Sequence, residues 1–79
     1  MSPTVLRIGP YRLYFYSHES SEPPHIHVER DNYGAKFWLS PVSLVRNYGF
    51  SPSELIKLQK IVESNEKILL EAWHEFFGN

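Results

Sequence analysis

Seventy-nine residues with a formal net charge of −1, 42% hydrophobic and 15% aromatic, make one domain near the lower size limit for a self-sufficient core. The sequence has no cysteine, which excludes a disulfide framework and any thiolate metal site. No apolar run approaches the roughly 20 residues that a membrane-spanning helix needs, and near-neutral charge argues against general affinity for nucleic acid.

Nothing at the amino end resembles a signal peptide, so a soluble cytoplasmic protein is the expectation. Val5 to Ile8 reads as a first strand and Gly9-Pro10 as a tight turn. Tyr11 to His18 reads as a longer aromatic strand, with Leu13 and Phe15 joining Leu6 and Ile8 in the core. A polar loop, Glu19 to Pro24, precedes a third strand from His25 to Arg30. Asp31-Asn32-Tyr33-Gly34 has turn composition. A fourth strand from Ala35 to about Leu39 is interrupted by Pro41. Val42 to Arg46 fits a short strand or a helical turn, closed by Asn47-Tyr48-Gly49.

Ser51-Pro52-Ser53-Glu54 reads as a capping box, with Phe50 and Leu55 as its hydrophobic staple. Leu55, Leu58, Val62, Asn65, Leu69, Ala72 and Phe76 then recur at steps of three and four. The spacing predicts one long helix ended by Gly78. Its apolar arc is wider than one small sheet needs, with Ile61 and Ile68 on one flank and Leu70, Trp73 and Phe77 on the other. The excess implies that a flank meets the Pro41–Phe50 segment, a second copy or another partner. The fold class expected is α+β: a small, mainly antiparallel sheet of four to five strands with one long C-terminal α-helix across one face. It forms a single domain over residues 1–79, strands over about 4–46 and the helix over about 52–77.

The chemistry concentrates in Glu22-Pro23-Pro24-His25-Ile26-His27-Val28. Side chains alternate along a strand, so His25, His27 and Glu29 share one face. The same parity brings Arg7, Arg12, Tyr14, Tyr16, His18, Lys36 and Trp38 to that face, away from the helix. It also makes the histidines unlike core residues of the sheet–helix layer. Three readings stand open. The face is simply wet, as one side of antiparallel sheets commonly is. Alternatively, His25 and His27 hold a metal ion, with His18 or Glu22 as further ligands. In the third, rings stack on bases while Arg and Lys meet phosphates, and a histidine beside a carboxylate acts as acid or base on a ribose hydroxyl. His74 reads as a solvated histidine near a helix C-terminus, and Asn65 as a register-setting polar contact.

Pro3-Thr4-Val5, the Glu22–Val28 block, Asn47-Tyr48-Gly49-Phe50-Ser51 and Leu69-Leu70-Glu71-Ala72-Trp73-His74-Glu75-Phe76-Phe77 together resemble the small bacterial family catalogued as domain of unknown function 4160. The resemblance implies a chain encoded beside a small protein partner in an arrangement similar to toxin–antitoxin pairs, usually as the toxin. It supplies no catalytic residues, no cofactor and no reaction. The expectation is therefore a toxin-like protein with a protein partner and with RNA as a candidate ligand. Its functional centre would be His25 and His27, with Arg7, Arg12, Tyr14, Tyr16, Glu29 and Trp38 as binding residues. The alternatives are a non-enzymatic interaction module, as homodimer or hetero-partner, and a histidine-based metal-binding protein.

Overall fold

The computed structural model describes residues 4–18 and 21–78. Pro3 of the opening motif and Glu19 and Ser20 of the expected loop lie outside them. Among the described residues the chain forms five strands and then two helices: β1 (Thr4–Ile8), β2 (Tyr11–Tyr14), β3 (His25–Arg30), β4 (Tyr33–Leu39), β5 (Val42–Tyr48), α1 (Pro52–Ser64) and α2 (Glu66–Phe77). The strands pair antiparallel in sequence order, giving an open meander with β1 and β5 at its edges. Three of the connections are two-residue turns, which is the shortest way to join antiparallel neighbours. Gly9 takes φ 55° in the first of these and Asp31 φ 56° in the second, while the third contains a cis Ser40–Pro41 peptide.

The α+β class expected from the pattern is observed, with three differences of detail in the strands. β2 stops pairing at Tyr14 rather than running to His18. The turn after β3 is Asp31-Asn32 alone, so Tyr33 and Gly34 belong to β4. Val42 to Tyr48 is a strand, longer than expected, and its edge position leaves most of it exposed.

Each edge strand carries one bulge. Val5 is skipped between the Thr4↔Tyr14 and Leu6↔Leu13 pairs, and Val45 between Lys36↔Arg46 and Phe37↔Leu44. A bulge bends and twists an edge and so discourages pairing with another chain. Within β2, β3 and β4 the pairing is regular, so the alternation of faces survives across the middle of the sheet.

The inward face carries Tyr11, Leu13 and Phe15, then Ile26 and Val28, then Ala35, Phe37 and Leu39, all buried. Leu58 and Val62 of α1, Leu69 and Trp73 of α2, and Phe50 before α1 close over them. Aromatic rings fill one end: Phe15 lies edge-on to Trp73, and Phe77 packs 4.2 Å from Trp73 between ring centres. A few large rings thus supply much of the buried area in a chain too short for many residues.

The expected single helix is two. At Asn65 (φ −115°, ψ 13°) the backbone leaves helical geometry for one residue. Its N–H donates to the Val62 carbonyl, three residues back, while its side-chain Nδ2 donates to the Ile61 carbonyl at 2.8 Å. The side chain therefore supplies the four-back hydrogen bond that the backbone gives up. α2 restarts at once, with Leu69 N–H donating to the Asn65 carbonyl. Because the interruption costs one residue of geometry and none of register, the three–four spacing runs through it undisturbed.

At the start of α1, Ser51 Oγ accepts from the Glu54 N–H at 3.2 Å, and Pro52 occupies the first turn, as the capping pattern implies. The Glu54 carboxylate, however, turns to the sheet. Its Oε2 accepts from Tyr11 Oη at 2.6 Å and Arg30 Nε at 2.8 Å, and its Oε1 from Arg30 Nη2 at 2.8 Å. This two-pronged clamp joins β2 and β3 to the first turn of α1. It pulls the Glu54 carboxyl down to about 2, chiefly through the Arg30 hydrogen bonds and then the Tyr11 hydroxyl. The Tyr11 phenol shifts the other way, first because it is buried and second because it donates to Glu54.

Candidate functional site

The outward sheet face is built by the β2–β3–β4 register. Arg12 lies opposite Glu29, Tyr14 opposite His27, and His27 opposite Lys36. Arg7 extends the face onto β1 opposite Arg12, and Arg46 and Tyr48 extend it onto β5 opposite Lys36 and Gly34. Both extensions follow from direct cross-strand pairing, which keeps partners on one side of the sheet.

At its centre is an aromatic cluster. The His27 ring stacks on Tyr14 at 5.2 Å and 23°, and Tyr16 meets it edge-on at 4.9 Å. Tyr16 in turn lies 5.5 Å from Tyr14 and 5.6 Å from His18. The Arg12 guanidinium covers the other part of this cluster, 4.2 Å from the Tyr14 ring centre. It is held there by Glu29 at 3.4 Å and by the Thr4 hydroxyl at 2.7 Å. Burial pushes the Tyr14 phenol up, seconded by Tyr16 and by the Glu29 carboxylate. Tyr14 thus stays protonated and can donate a hydrogen bond but cannot serve as a base at neutral pH. Beside the cluster, Lys36 lies 5.0 Å from the Trp38 ring centre and bonds the Glu22 carboxylate, tying the 21–24 loop to β4.

His25 does not belong to this surface, which corrects the expectation drawn from parity. Its side chain is 0% exposed. Its ring lies 4.8 Å from Trp73 of α2, 5.9 Å from Trp38 and 5.2 Å from His27. Nδ1 is 2.9 Å from the Pro23 carbonyl, which only accepts, so Nδ1 carries a proton. The physical reason lies in β2. Its pairing with β3 ends at Tyr14↔His27, so His25, still paired with Trp38 of β4, is covered at the sheet end by His27, Trp38 and Trp73. His25 is thus a packing residue that orients the Pro23–Pro24 entry into β3, and it offers no nitrogen to a ligand in solution. The proposed His18–His25–His27 metal set fails for the same reason. Among the described residues no three His, Asp or Glu side chains converge to hold an ion.

Of the other expected binding residues, Arg7, Arg12, Tyr14, Glu29 and Trp38 share one face with His27 by register, and Tyr16, beyond the end of β2, meets His27 through its ring. Arg46 was missed because the 42–46 segment fitted a helical turn as well as a strand, and Tyr48 because Asn47-Tyr48-Gly49 reads as a turn whereas β5 runs to Tyr48. Alternation from Val42 would have set Arg46 and Tyr48 on the inward side with Val42 and Leu44, and it is the bulge at Val45 that turns them outward. Charge is segregated by layer. The outward face carries Arg7, Arg12, Lys36 and Arg46, half of the eight Lys and Arg residues, against Glu29 and the loop residue Glu22. Five of the nine acidic residues lie on α1 and α2 with three lysines. A net charge near zero conceals this division.

Among the described residues no helix is long and apolar enough to cross a membrane. Comparison with curated proteins and with solved structures returns no match. A family profile does match, over residues 11–74, a span that includes the outward-face residues of β2, β3, β4 and β5 together with α1 and α2 as far as His74. The chain belongs to the family described as Domain of unknown function (DUF4160).

Proposed function

We propose that this protein binds single-stranded RNA on its helix-free sheet face, as the effector of a two-gene module of the toxin–antitoxin type. One observation carries the reading. The outward face interleaves Arg7, Arg12, Lys36 and Arg46 with Tyr14, Tyr16, Trp38 and Tyr48, while the acidic excess lies on the other layer. Cations at strand spacing meet successive phosphates, and rings between them offer stacking platforms that only unpaired bases can reach. The resemblance to chains encoded beside a small partner supports the module.

His27 is the one imidazole of the Pro-Pro-His-Ile-His-Val block that this face presents. If the bound RNA is cleaved, His27 is the acid–base group, with Arg12 beside it to stabilise charge developing at phosphorus. Fluorescence anisotropy with a labelled single-stranded RNA tests the binding. Arg12→Glu, Lys36→Glu and Arg46→Glu should each weaken it, and salt should weaken it steeply, whereas Lys67→Glu on α2 should not. Equal effects from both layers, or no binding by the parent protein, would refute the reading. Induced expression should slow growth in the wild type and not in a folded His27→Ala variant.

A further inference from the structure

The loop that leads into β3 places a carboxylate over the middle of the cationic sheet face. Lys36 stands there, opposite His27 of β3 and Arg46 of β5. Its ammonium donates to Glu22 Oε1 and lies 5.0 Å from the Trp38 ring centre. The two prolines that follow Glu22 bring it to this position. The Pro23 carbonyl accepts from His25 Nδ1 at 2.9 Å, and the Pro24 carbonyl accepts from the Leu39 N–H at 3.0 Å. Since His25 is buried and each proline fixes φ, the chain just after Glu22 has little freedom. The two partners differ in exposure. The Lys36 side chain is 13% exposed and that of Glu22 39%, so the carboxylate covers the ammonium and itself borders water.

We infer that Glu22 is a built-in competitor for RNA, occupying in the free protein the position on Lys36 that a backbone phosphate takes in the complex. This contact presupposes the RNA binding proposed above and sets its strength. A carboxylate oxygen and a phosphate oxygen make the same charge-assisted hydrogen bond to an ammonium. Lys36 has three donors, but Glu22 stands between most of them and the solvent, and its charge repels an approaching phosphate. Glu29 beside Arg12 differs, because it stands on a regularly paired strand and keeps its place whatever binds. At Glu22 the exchange needs only a rotation of the side chain towards water. Pro23, Pro24 and the Lys36–Trp38 contact stay where they are. The freed ammonium then meets a phosphate while Trp38 beside it offers a ring to the neighbouring base. The Glu22-Pro23-Pro24-His25 block thereby has a joint task. Its prolines and buried histidine hold a competing acid in register with the site.

Anisotropy with the same labelled single-stranded RNA, at one fixed ionic strength, tests the contact. Glu22→Gln and Glu22→Ala should each tighten binding by about fivefold, the scale of one ion pair near a surface. Thermal melts of both variants should stay close to that of the parent. Removing an acid near the face also adds general attraction, so Lys36→Met supplies the control. In a Lys36→Met background, Glu22→Gln should change binding by less than about twofold, because no ammonium remains for Glu22 to cover. A Glu22→Gln variant that binds no tighter than the parent overturns the competitor, and so does a gain that persists undiminished in the Lys36→Met background. Either result leaves RNA binding by the parent intact. Large losses of stability in both Glu22 variants would make Glu22 a structural anchor and overturn it equally. Absence of RNA binding by the parent and by Glu22→Gln alike refutes RNA binding itself, and the competitor with it.

Discussion

His25 and His27 are two positions apart in one strand, yet they do different things. Alternation along the strand is legible in the sequence, and it correctly groups His27 with Arg12, Tyr14, Glu29 and Lys36. What alternation cannot show is where the neighbouring strand stops pairing, and that decides whether a ring stands on the sheet or packs into its end. His25→Ala should therefore cost about 2–4 kcal/mol, as large-to-small changes in cores do, while His27→Ala should cost about 1 kcal/mol or less. Urea denaturation of the two variants checks this, and similar losses would contradict the assignment. The Arg30–Glu54–Tyr11 clamp was not legible either. Its members lie 24 and 43 positions apart, and the capping pattern gave Glu54 a sufficient local task. The clamp has a pH consequence. The Glu54 carboxyl is lowered in the folded protein from its ordinary 4.5 to about 2, so the unfolded chain takes up the proton first. The stability it contributes is present above about 4.5 and is lost as pH falls towards 2. Thermal melts across that window should show Glu54→Gln less stable than the parent at neutral pH, with the gap closing in acid.

At the scale of elements, most boundaries follow from local chemistry. Proline, glycine and the serine cap mark the ends of strands and the start of α1, and hydrophobic alternation marks the inward faces of β2, β3 and β4. The break at Asn65 escaped because periodicity reports phase, and here one residue leaves the helix without shifting phase. The α1 entry shows how tightly one turn can be determined. Asn47 Nδ2 donates to the Phe50 carbonyl, and the Phe50 N–H donates to Asn47 Oδ1 at 3.0 Å. Gly49 between them takes φ 102°, and a Cβ there would lie 2.5 Å from the Tyr33 ring. Gly49→Ala combines backbone strain with a clash and should cost more than about 2 kcal/mol. Gly9 also has positive φ, but a Cβ there meets nothing within 4 Å. Gly9→Ala should thus cost only about 1 kcal/mol. Paired chemical denaturation of the two variants separates strain from crowding, and a Gly9→Ala loss equal to that of Gly49→Ala would contradict it.

For the whole molecule, composition gave the class and size but hid the charge architecture, because opposite charges on two layers cancel in the sum. The prediction at this scale concerns the layers themselves. Raising salt should weaken RNA binding steeply through the outward face, yet change the stability of the fold only modestly, since apolar burial between sheet and helices is not screened. Anisotropy and thermal melts against ionic strength in one preparation separate loss of binding from loss of fold, and a parallel loss of both would contradict it. The strand order carries a further consequence, for the chain during its own synthesis. Each strand pairs with the one made just before it, so the sheet can assemble as the polypeptide emerges and needs few long loops to close. Its apolar side has no such early partner. Leu13, Ile26, Phe37 and Leu39 wait for Leu58, Val62, Leu69 and Trp73, which are made after all five strands. The nascent protein passes through a stage in which a formed sheet is bare on one side, and a chain stopped after Tyr48 should aggregate on release. Light scattering of that truncated product is the readout, and a soluble, well-dispersed fragment would show that the sheet does not depend on its helices.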